Sequence, residues 1–266
     1  MTGSAIGIDV GGTKIAAGLV KFPEGKLVAC DVHPTLADRG PEAILDGVVA
    51  LVQSIATKAN VQALGLAICE LVDQSGTIVS NNIITWQTAD VVKRLSSIAP
   101  VTIEADVRAA ALGEALFGAG KSYKNFLYIT VGTGISSCLV IDGKPYTGAR
   151  GLTGTFASGA LPGLNQSLED LASGAALARG ATSESAANAL GAGIGLLINT
   201  LDPEAVVIGG GLGLSGGTYW ETLIASTRGH IWSPVHRDLP ILAASSAHSA
   251  VIGAAALALQ KVTRAG

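Results

Sequence analysis

One six-residue pattern occurs twice in this chain. Ile8-Asp9-Val10-Gly11-Gly12-Thr13 is echoed by Ile129-Thr130-Val131-Gly132-Thr133-Gly134. Each copy is an apolar run that enters a glycine turn and leaves it as a second apolar run. The order of elements around the copies repeats as well. Ala5–Asp9, Lys14–Val20 and Lys26–Val32 read as three strands joined by tight turns, an antiparallel meander. Pro41–Ala59 then shows helical period, with Ile44, Val48, Leu51, Val52 and Ile55 on one face and Pro41 suited to the first turn. Strand Leu64–Ile68, helix Thr88–Ile98, strand Val101–Glu104 and helix Val107–Leu116 follow. The second half runs strand Asn125–Thr130, strand Ile135–Ile141, a hairpin signal at Asp142-Gly143, and a return over Lys144–Thr147. A helical region within Leu168–Leu201 comes next, then strand Ala205–Ile208, helix Thr218–Arg228, strand Pro240–Ala244 and helix Ser249–Gln260. This order predicts two α/β lobes of like topology, 1–116 plus 246–266 and 117–245, with a ligand crevice between them. A single doubly wound sheet with coincidental glycine turns is the alternative.

Composition narrows the classes. Apolar residues are 48% of 266, so a large core is expected and global disorder is excluded. No apolar run approaches the ~18 residues of a membrane span. Charged residues are 14%, well below the usual ~25%. Aromatics are only 4% while glycine numbers 35, and no Gly-X-Y period is present. The glycines therefore belong to turns and close backbone approaches, Gly113 and Gly253 in the Ala-rich helices among them. A net charge of −3 gives nucleic acid phosphate nothing to bind in bulk. Cys30, Cys69 and Cys138 are widely spaced in apolar runs and read as reduced core residues. The N-terminus carries no export signal, so a cytoplasmic protein is expected.

The glycine turns are candidate anion sites. Glycine lets backbone N–H groups converge on a phosphate, and Thr13 and Thr133 add hydroxyls. Neither turn is a Walker A loop, and neither precedes a helix as a dinucleotide fingerprint would. Each alone is also an ordinary glycine hairpin. Asp9 ends its strand beside the first turn, where a carboxylate holds Mg²⁺ against phosphates or simply caps the turn. The strand Ala205–Ile208 runs into Gly209-Gly210-Gly211, bare backbone against which a nucleoside can lie, or a flexible loop. Asp106 stands at a helix N-terminus, as an N-cap or as a carboxylate that accepts a hydroxyl proton. His33, His230, His236 and His248 show no ligand spacing and read as surface or loop residues. Trp220 and Trp232 read as packing residues.

Together these segments resemble the ROK family of sugar kinases (repressors, open reading frames, kinases) within the actin-like/hexokinase superfamily. The carriers are Gly7–Lys14, Glu104-Ala105-Asp106, Ala111–Ala115, Val131–Ile135, Leu168-Glu169 with Ala172-Ser173-Gly174, and Val207–Gly211. The resemblance implies a two-lobed actin-like ATPase fold, ribonuclease H-like in each lobe. It implies a cytoplasmic homodimer that uses ATP and Mg²⁺, with Asp9 toward the metal. By the same resemblance Asp106 is the catalytic base. Gly11, Gly12, Thr13 and Lys14, then Gly132, Thr133 and Gly134, then Gly209, Gly210 and Gly211 contact ATP. The family's transcription factors carry an extra N-terminal DNA-binding domain; with the first strand starting by Ala5, that branch is not expected here.

The acceptor positions depart from the family pattern. Ala105 stands where the family has a sugar-contacting Asn. Thr155 replaces a sugar-binding Glu, and Ser158 replaces a His that contacts both zinc and sugar. The zinc cysteines are missing, so no structural zinc is expected. Cys69-Glu70 replaces a Pro-Gly pair and brings a carboxylate toward the acceptor. Glu169 keeps a sugar-contacting position, and Asn82, at the family's spacing before Trp86, borders the pocket. The implied activity is transfer of the ATP γ-phosphoryl group to a hydroxyl, a primary one by preference, of a sugar or sugar-like polyol. A C7-cyclitol kinase is one alternative. A non-catalytic sugar and ATP sensor is another, and an actin-like ATPase without an acceptor a third.

Overall fold

Alternation of large and small side chains along the strands governs the first unit. The computed structural model describes every residue except 58, 161, 162, 164 and 266. In β1 (Gly3–Val10), Ile6, Ile8 and Val10 face one way while Ala5, Gly7 and Asp9 face the other. β4 (Ala63–Ile68) repeats this, with Leu64, Leu66 and Ile68 opposite Ala63, Gly65 and Ala67. The large faces pack with α1 (Pro41–Ala56), which contributes Ile44, Leu45, Val48, Leu51, Val52 and Ile55 to one core. Each such side chain contributes roughly 1.5–3 kcal/mol on burial. The small faces admit a helix backbone directly. A Cβ on Gly7 would lie 1.8 Å from the Val251 carbonyl oxygen, and one on Gly65 would lie 1.9 Å from that of Ala254, both on α8 (Ser249–Ala265).

The sheet is completed by β2 (Lys14–Phe22), β3 (Lys26–Pro34) and β5 (Val101–Ala105) in the order β3-β2-β1-β4-β5. β1–β3 pair antiparallel, and β1, β4 and β5 parallel. α2 (Thr88–Leu95) and α3 (Asp106–Phe117) flank β5 in sequence. α3 lies against α8 where Gly113 and Gly253 leave room, a Cβ on Gly253 falling 1.8 Å from the Ala109 carbonyl oxygen. The close-packing role expected of these two glycines is what the fold uses.

The second sheet has the matching order β10-β9-β6-β7-β8. Its strands are β6 (Phe126–Val131), β7 (Ile135–Ile141), β8 (Lys144–Pro145), β9 (Ala205–Gly209) and β10 (Ile241–Ala243). The expected helical region Leu168–Leu201 is three helices: α4 (Leu168–Ala172), α5 (Gly174–Ala178) and α6 (Ser183–Leu201). Ser173 and Thr182 cap α5 and α6 through their hydroxyls, which interrupt the run. α6 and α7 (Gly217–His230) supply Leu190, Ile194, Ile198 and Leu223 to the second core, over Leu127, Ile129, Val206 and Ile208.

The chain divides into two units: 1–118 with 145–153 and 248–266, and 119–144 with 154–247. α1 ends at Ala56, short of the expected Ala59, and residue 58 of that span lies outside the described residues. So do 161, 162 and 164 of the short stretch Gly159–Ser167. Trp232 corrects an expectation: it is 85% exposed instead of packed, because it follows α7 beyond its last buried turn. Among the described residues no helix is long and apolar enough to cross a membrane.

Candidate functional site

In the first unit the C-terminal ends of three parallel strands bring three acidic residues into one neighbourhood. Val10 pairs with Ile68 and Ile68 with Ala105; Asp9 lies one residue before that level, Asp106 one residue beyond it and Glu70 two beyond. Open parallel sheets bind ligands at this edge. Asp9 continues the face of β1 that carries Ala5 and Gly7. Burial and the nearby Asp106 carboxylate push Asp9 up to about 7, with Lys14 pulling the other way. Burial pushes Asp106 up to about 6. The Val107 N–H, 2.6 Å from its Oδ1, and the Arg108 guanidinium oppose that rise, while the Glu70 charge adds to it.

Asp106 is not the N-cap that its sequence position suggests. Ala105 occupies that position, in extended geometry, and Asp106 is the first helical residue. Its carboxylate therefore bonds the next residue's N–H, without reaching over the first turn. Ala105 itself is buried in the first core. Arg108, also buried, donates from Nε to Glu104 (2.7 Å), and from its terminal nitrogens to the carbonyls of Gly151 (2.5 Å) and Val72 (2.6 Å). Sequence reading passed over Arg108, whose carbonyl partners are 36 and 43 residues away.

The first glycine turn lies beside this edge. The Gly11 N–H bonds the Lys14 carbonyl at 3.0 Å and so closes the turn itself, and the Thr35 hydroxyl donates to the Gly11 carbonyl at 2.6 Å. Thr13 and Lys14 are exposed. Gly12 packs under Ile83, where an added Cβ would lie 3.1 Å from the Ile83 Cγ2. Ile83 belongs to the segment 80–84, whose Asn82 is exposed. Glu70, expected to face the acceptor, is buried and accepts from this segment instead: from the Ser80 hydroxyl and from the N–H groups of Asn82 (2.9 Å), Ile83 (2.6 Å) and Ile84 (2.8 Å). Burial would raise its carboxyl, but these four bonds outweigh it and hold Glu70 below its ordinary value. Cys69 borders the same neighbourhood. Burial and the charges of Asp106, Glu70 and Asp9 push its thiol far up, so it stays a neutral thiol. Sequence reading took Cys69 for a plain core residue.

In the second unit the other expected residues also converge. The Gly132 N–H bonds the Gly134 carbonyl at 2.9 Å, closing the second turn as Gly11 closes the first. The Gly174 N–H at the start of α5 bonds the Gly132 carbonyl at 2.8 Å, and that of Ala175 bonds the Thr133 carbonyl at 3.2 Å. Glu169 Oε2 accepts the Ile135 N–H at 2.7 Å, and a Cβ on Gly134 would lie 2.6 Å from the same oxygen. Glu169 thus lies against the glycine turn. Its own N–H bonds the Ala157 carbonyl at 2.9 Å, within the turn that carries exposed Thr155 and Ser158. Gly210, at φ +82, passes so close to Val131 that a Cβ would lie 2.4 Å from the Val131 carbonyl oxygen. Gly209–Gly211 and Gly132–Gly134 are therefore neighbours.

Among the described residues no group of three or more His, Cys, Asp or Glu side chains could hold a metal. One carboxylate with phosphate oxygens and waters is nevertheless an ordinary Mg²⁺ shell. Asp9 fits that use, since a cation beside two crowded carboxylates would relieve their repulsion. A separate cavity of about 500 Å³ lies between β2–β3 and α1, lined by Ile15, Leu36, Ile44 and Leu51 among others. It contains none of the expected site residues.

Comparison with known proteins identifies the family of this two-sheet fold. The ROK family pattern matches residues 5–183 and 167–261. The chain belongs to the ROK family. It is 30% identical to the glucokinase of Streptomyces coelicolor, over 96% of this chain and 98% of that one. The solved ROK family glucokinase of Streptomyces griseus, bound to glucose and AMPPNP, superposes with a TM-score of 0.88 at 27% identity and covers 97% of this chain and 100% of its own. A ROK hexokinase from Thermus thermophilus superposes with a TM-score of 0.77 at 29% identity, covering 98% and 100%.

Proposed function

We propose that this protein is an ATP-dependent kinase that phosphorylates a hydroxyl of a sugar or sugar-like polyol. The observation that carries this reading is Asp106, the first residue of α3 just past β5, whose carboxyl burial raises to about 6 and whose charge reaches Asp9. At neutral pH such a carboxylate is mostly ionised yet basic enough to take a proton. Asp106 would accept the proton of the acceptor hydroxyl as its oxygen bonds to the γ-phosphorus and the bond to the ADP oxygen breaks. Mg²⁺ held by Asp9 would neutralise charge on the phosphates. Lys14, the turn at Gly11, Gly12 and Thr13, the turn at Gly132, Thr133 and Gly134, and the run Gly209, Gly210 and Gly211 would hold ATP. Their family resemblance supports this, as does the bound AMPPNP of the Streptomyces griseus relative.

The acceptor reading is finer. Glucose is bound in that relative and names the activity of the Streptomyces coelicolor one. Here Ala105 is a core residue, and Thr155 and Ser158 are short, neutral and exposed. A site built for particular hydroxyls loses discrimination when those polar partners are exchanged. These changes support an acceptor other than glucose, a C7-cyclitol among the candidates, with Asn82 and Glu169 as remaining polar contacts. We also propose a homodimer, on the resemblance alone.

The test is acceptor-stimulated ADP release with D-glucose, D-mannose, N-acetyl-D-mannosamine, myo-inositol and a C7-cyclitol. At least one should stimulate turnover. Asp106→Asn should abolish transfer, by roughly a thousandfold or more, with ATP binding retained by calorimetry. ATP binding without stimulation by any acceptor would favour the sensor reading. Undiminished transfer by Asp106→Asn would sink the assignment of the base.

A further inference from the structure

The Glu70 carboxylate has spent its bonding capacity inside its own unit. A carboxylate offers about four lone-pair positions. At Glu70 the Ser80 hydroxyl and the Asn82 N–H share Oε2, while the Ile83 and Ile84 N–H groups share Oε1. The side chain is 4% exposed, so no water competes strongly. Ser80 is itself fixed, because its hydroxyl oxygen accepts the Leu71 N–H at 2.8 Å. The far end of the segment is pinned too. Trp86 is buried and its indole N–H bonds the Pro41 carbonyl at 2.8 Å. Between these anchors only the side chains of Asn81, Asn82, Ile83 and Thr85 stand exposed.

Two consequences follow for the site. Three consecutive backbone N–H groups turned onto one anion give residues 82–84 a single conformation. That conformation lays Ile83 over Gly12 of the first glycine turn and presents Asn82 outward. A neutral side chain could not replace the anchor. Glutamine would turn an NH₂ group toward N–H donors, and alanine would leave them buried and unpaired.

We propose that Glu70 is a positioning residue that sets acceptor recognition through Asn82, without itself touching the acceptor. The proposal rests on the kinase reading for its acceptor, but its anchoring step does not. Amide hydrogen exchange of residues 82–84 is therefore measured first, with no sugar or nucleotide present. In Glu70→Gln these amides should exchange about tenfold faster or more, with β1 and β4 unchanged. Unchanged exchange would overturn the anchor. Should Glu70→Gln fail to fold, Ser80→Ala removes one donor and should loosen the same amides to a smaller degree.

The second arm uses, at saturating ATP, whichever of D-glucose, D-mannose, N-acetyl-D-mannosamine, myo-inositol and the C7-cyclitol stimulates ADP release most. Glu70→Gln should raise the KM for that acceptor about tenfold, with the KM for ATP within about twofold of its starting value. Asn82→Ala should do the same, and the double variant should be no worse than the poorer single one. Multiplying effects would mean that Glu70 meets the acceptor independently, which refutes the proposal. Stimulation by none of these five acceptors would instead refute the kinase reading, and the exchange result would still decide the anchor.

Discussion

At Asp9 and Asp106 two carboxylates are held closer, and drier, than either would choose alone. Asp9 is raised to about 7 and Asp106 to about 6. Ionising them in the folded chain therefore opposes folding, a cost that sites of this kind commonly carry for function. Asp9→Asn removes one of the two charges. It should raise the melting temperature of the nucleotide-free protein by a few degrees at pH 8 and by less at pH 5, where folded Asp9 carries its proton and only the unfolded chain's Asp9 is ionised. Scanning calorimetry at both pH values checks this, and a lowered melting temperature at pH 8 would show that Asp9 is held by a compensating partner. The same residues mark where the sequence was readable. Asp9 and Asp106 were legible because each ends a strand beside a glycine turn or a helix start. Glu70 was legible as a new carboxylate but not as an anchor. Its partners lie 10–14 residues onward, in a segment without periodicity.

The close approaches of α8 to β1, β4 and α3 explain part of the glycine excess at the scale of elements. At Gly253 a Cβ would lie 1.8 Å from the Ala109 carbonyl oxygen, and neither helix backbone can yield without disturbing the sheet. Gly253→Ala should destabilise the protein by about 3 kcal/mol. Gly47 is the control. It is exposed, it lies within α1, and an added Cβ there meets nothing within 4 Å. Gly47→Ala should stabilise by about 0.5–1 kcal/mol through helix propensity alone. Urea titration of the two variants reads both signs, and equal effects would refute the packing account. Gly113 and Gly253 were legible as lone glycines in Ala-rich helices. Gly7 and Gly65 were not legible as close-packing points, because a glycine in a strand has several uses and only the docked helix selects one.

Ionisable groups sum their effects over the whole molecule. Asp9 and Asp106 are raised above their ordinary values, so below pH 7 the folded chain binds protons that the unfolded chain does not, and stability grows as pH falls toward 5. Burial lowers His248, which acts in the opposite sense below about pH 6.5, with one partly buried ring against two strongly shifted carboxyls. Glu70, Asp73 and Asp170 are lowered, so their stabilisation is present above the ordinary carboxylate range and is lost as pH falls through their folded values. The nucleotide-free protein should therefore be most stable near pH 5, lose stability toward pH 8, and fall away steeply below about pH 4. Melting curves across that range test the sum, and a maximum at pH 8 would contradict it.

The chain's own sequence determined two sets of five strands in the same sequential order, the glycine turns and the family. All of these rest on local signals: period-two and period-3.6 burial, turn residues, and motifs with fixed spacing. Tertiary structure alone decided that residues 145–153 join the first unit, that Arg108 bonds Val72 and Gly151, that Glu169 lies on the second glycine turn, and that Glu70 holds residues 80–84. These depend on which distant backbone groups meet a polar side chain once water has been excluded. A buried polar group must find such partners, but the sequence around it does not say where along the chain they will come from.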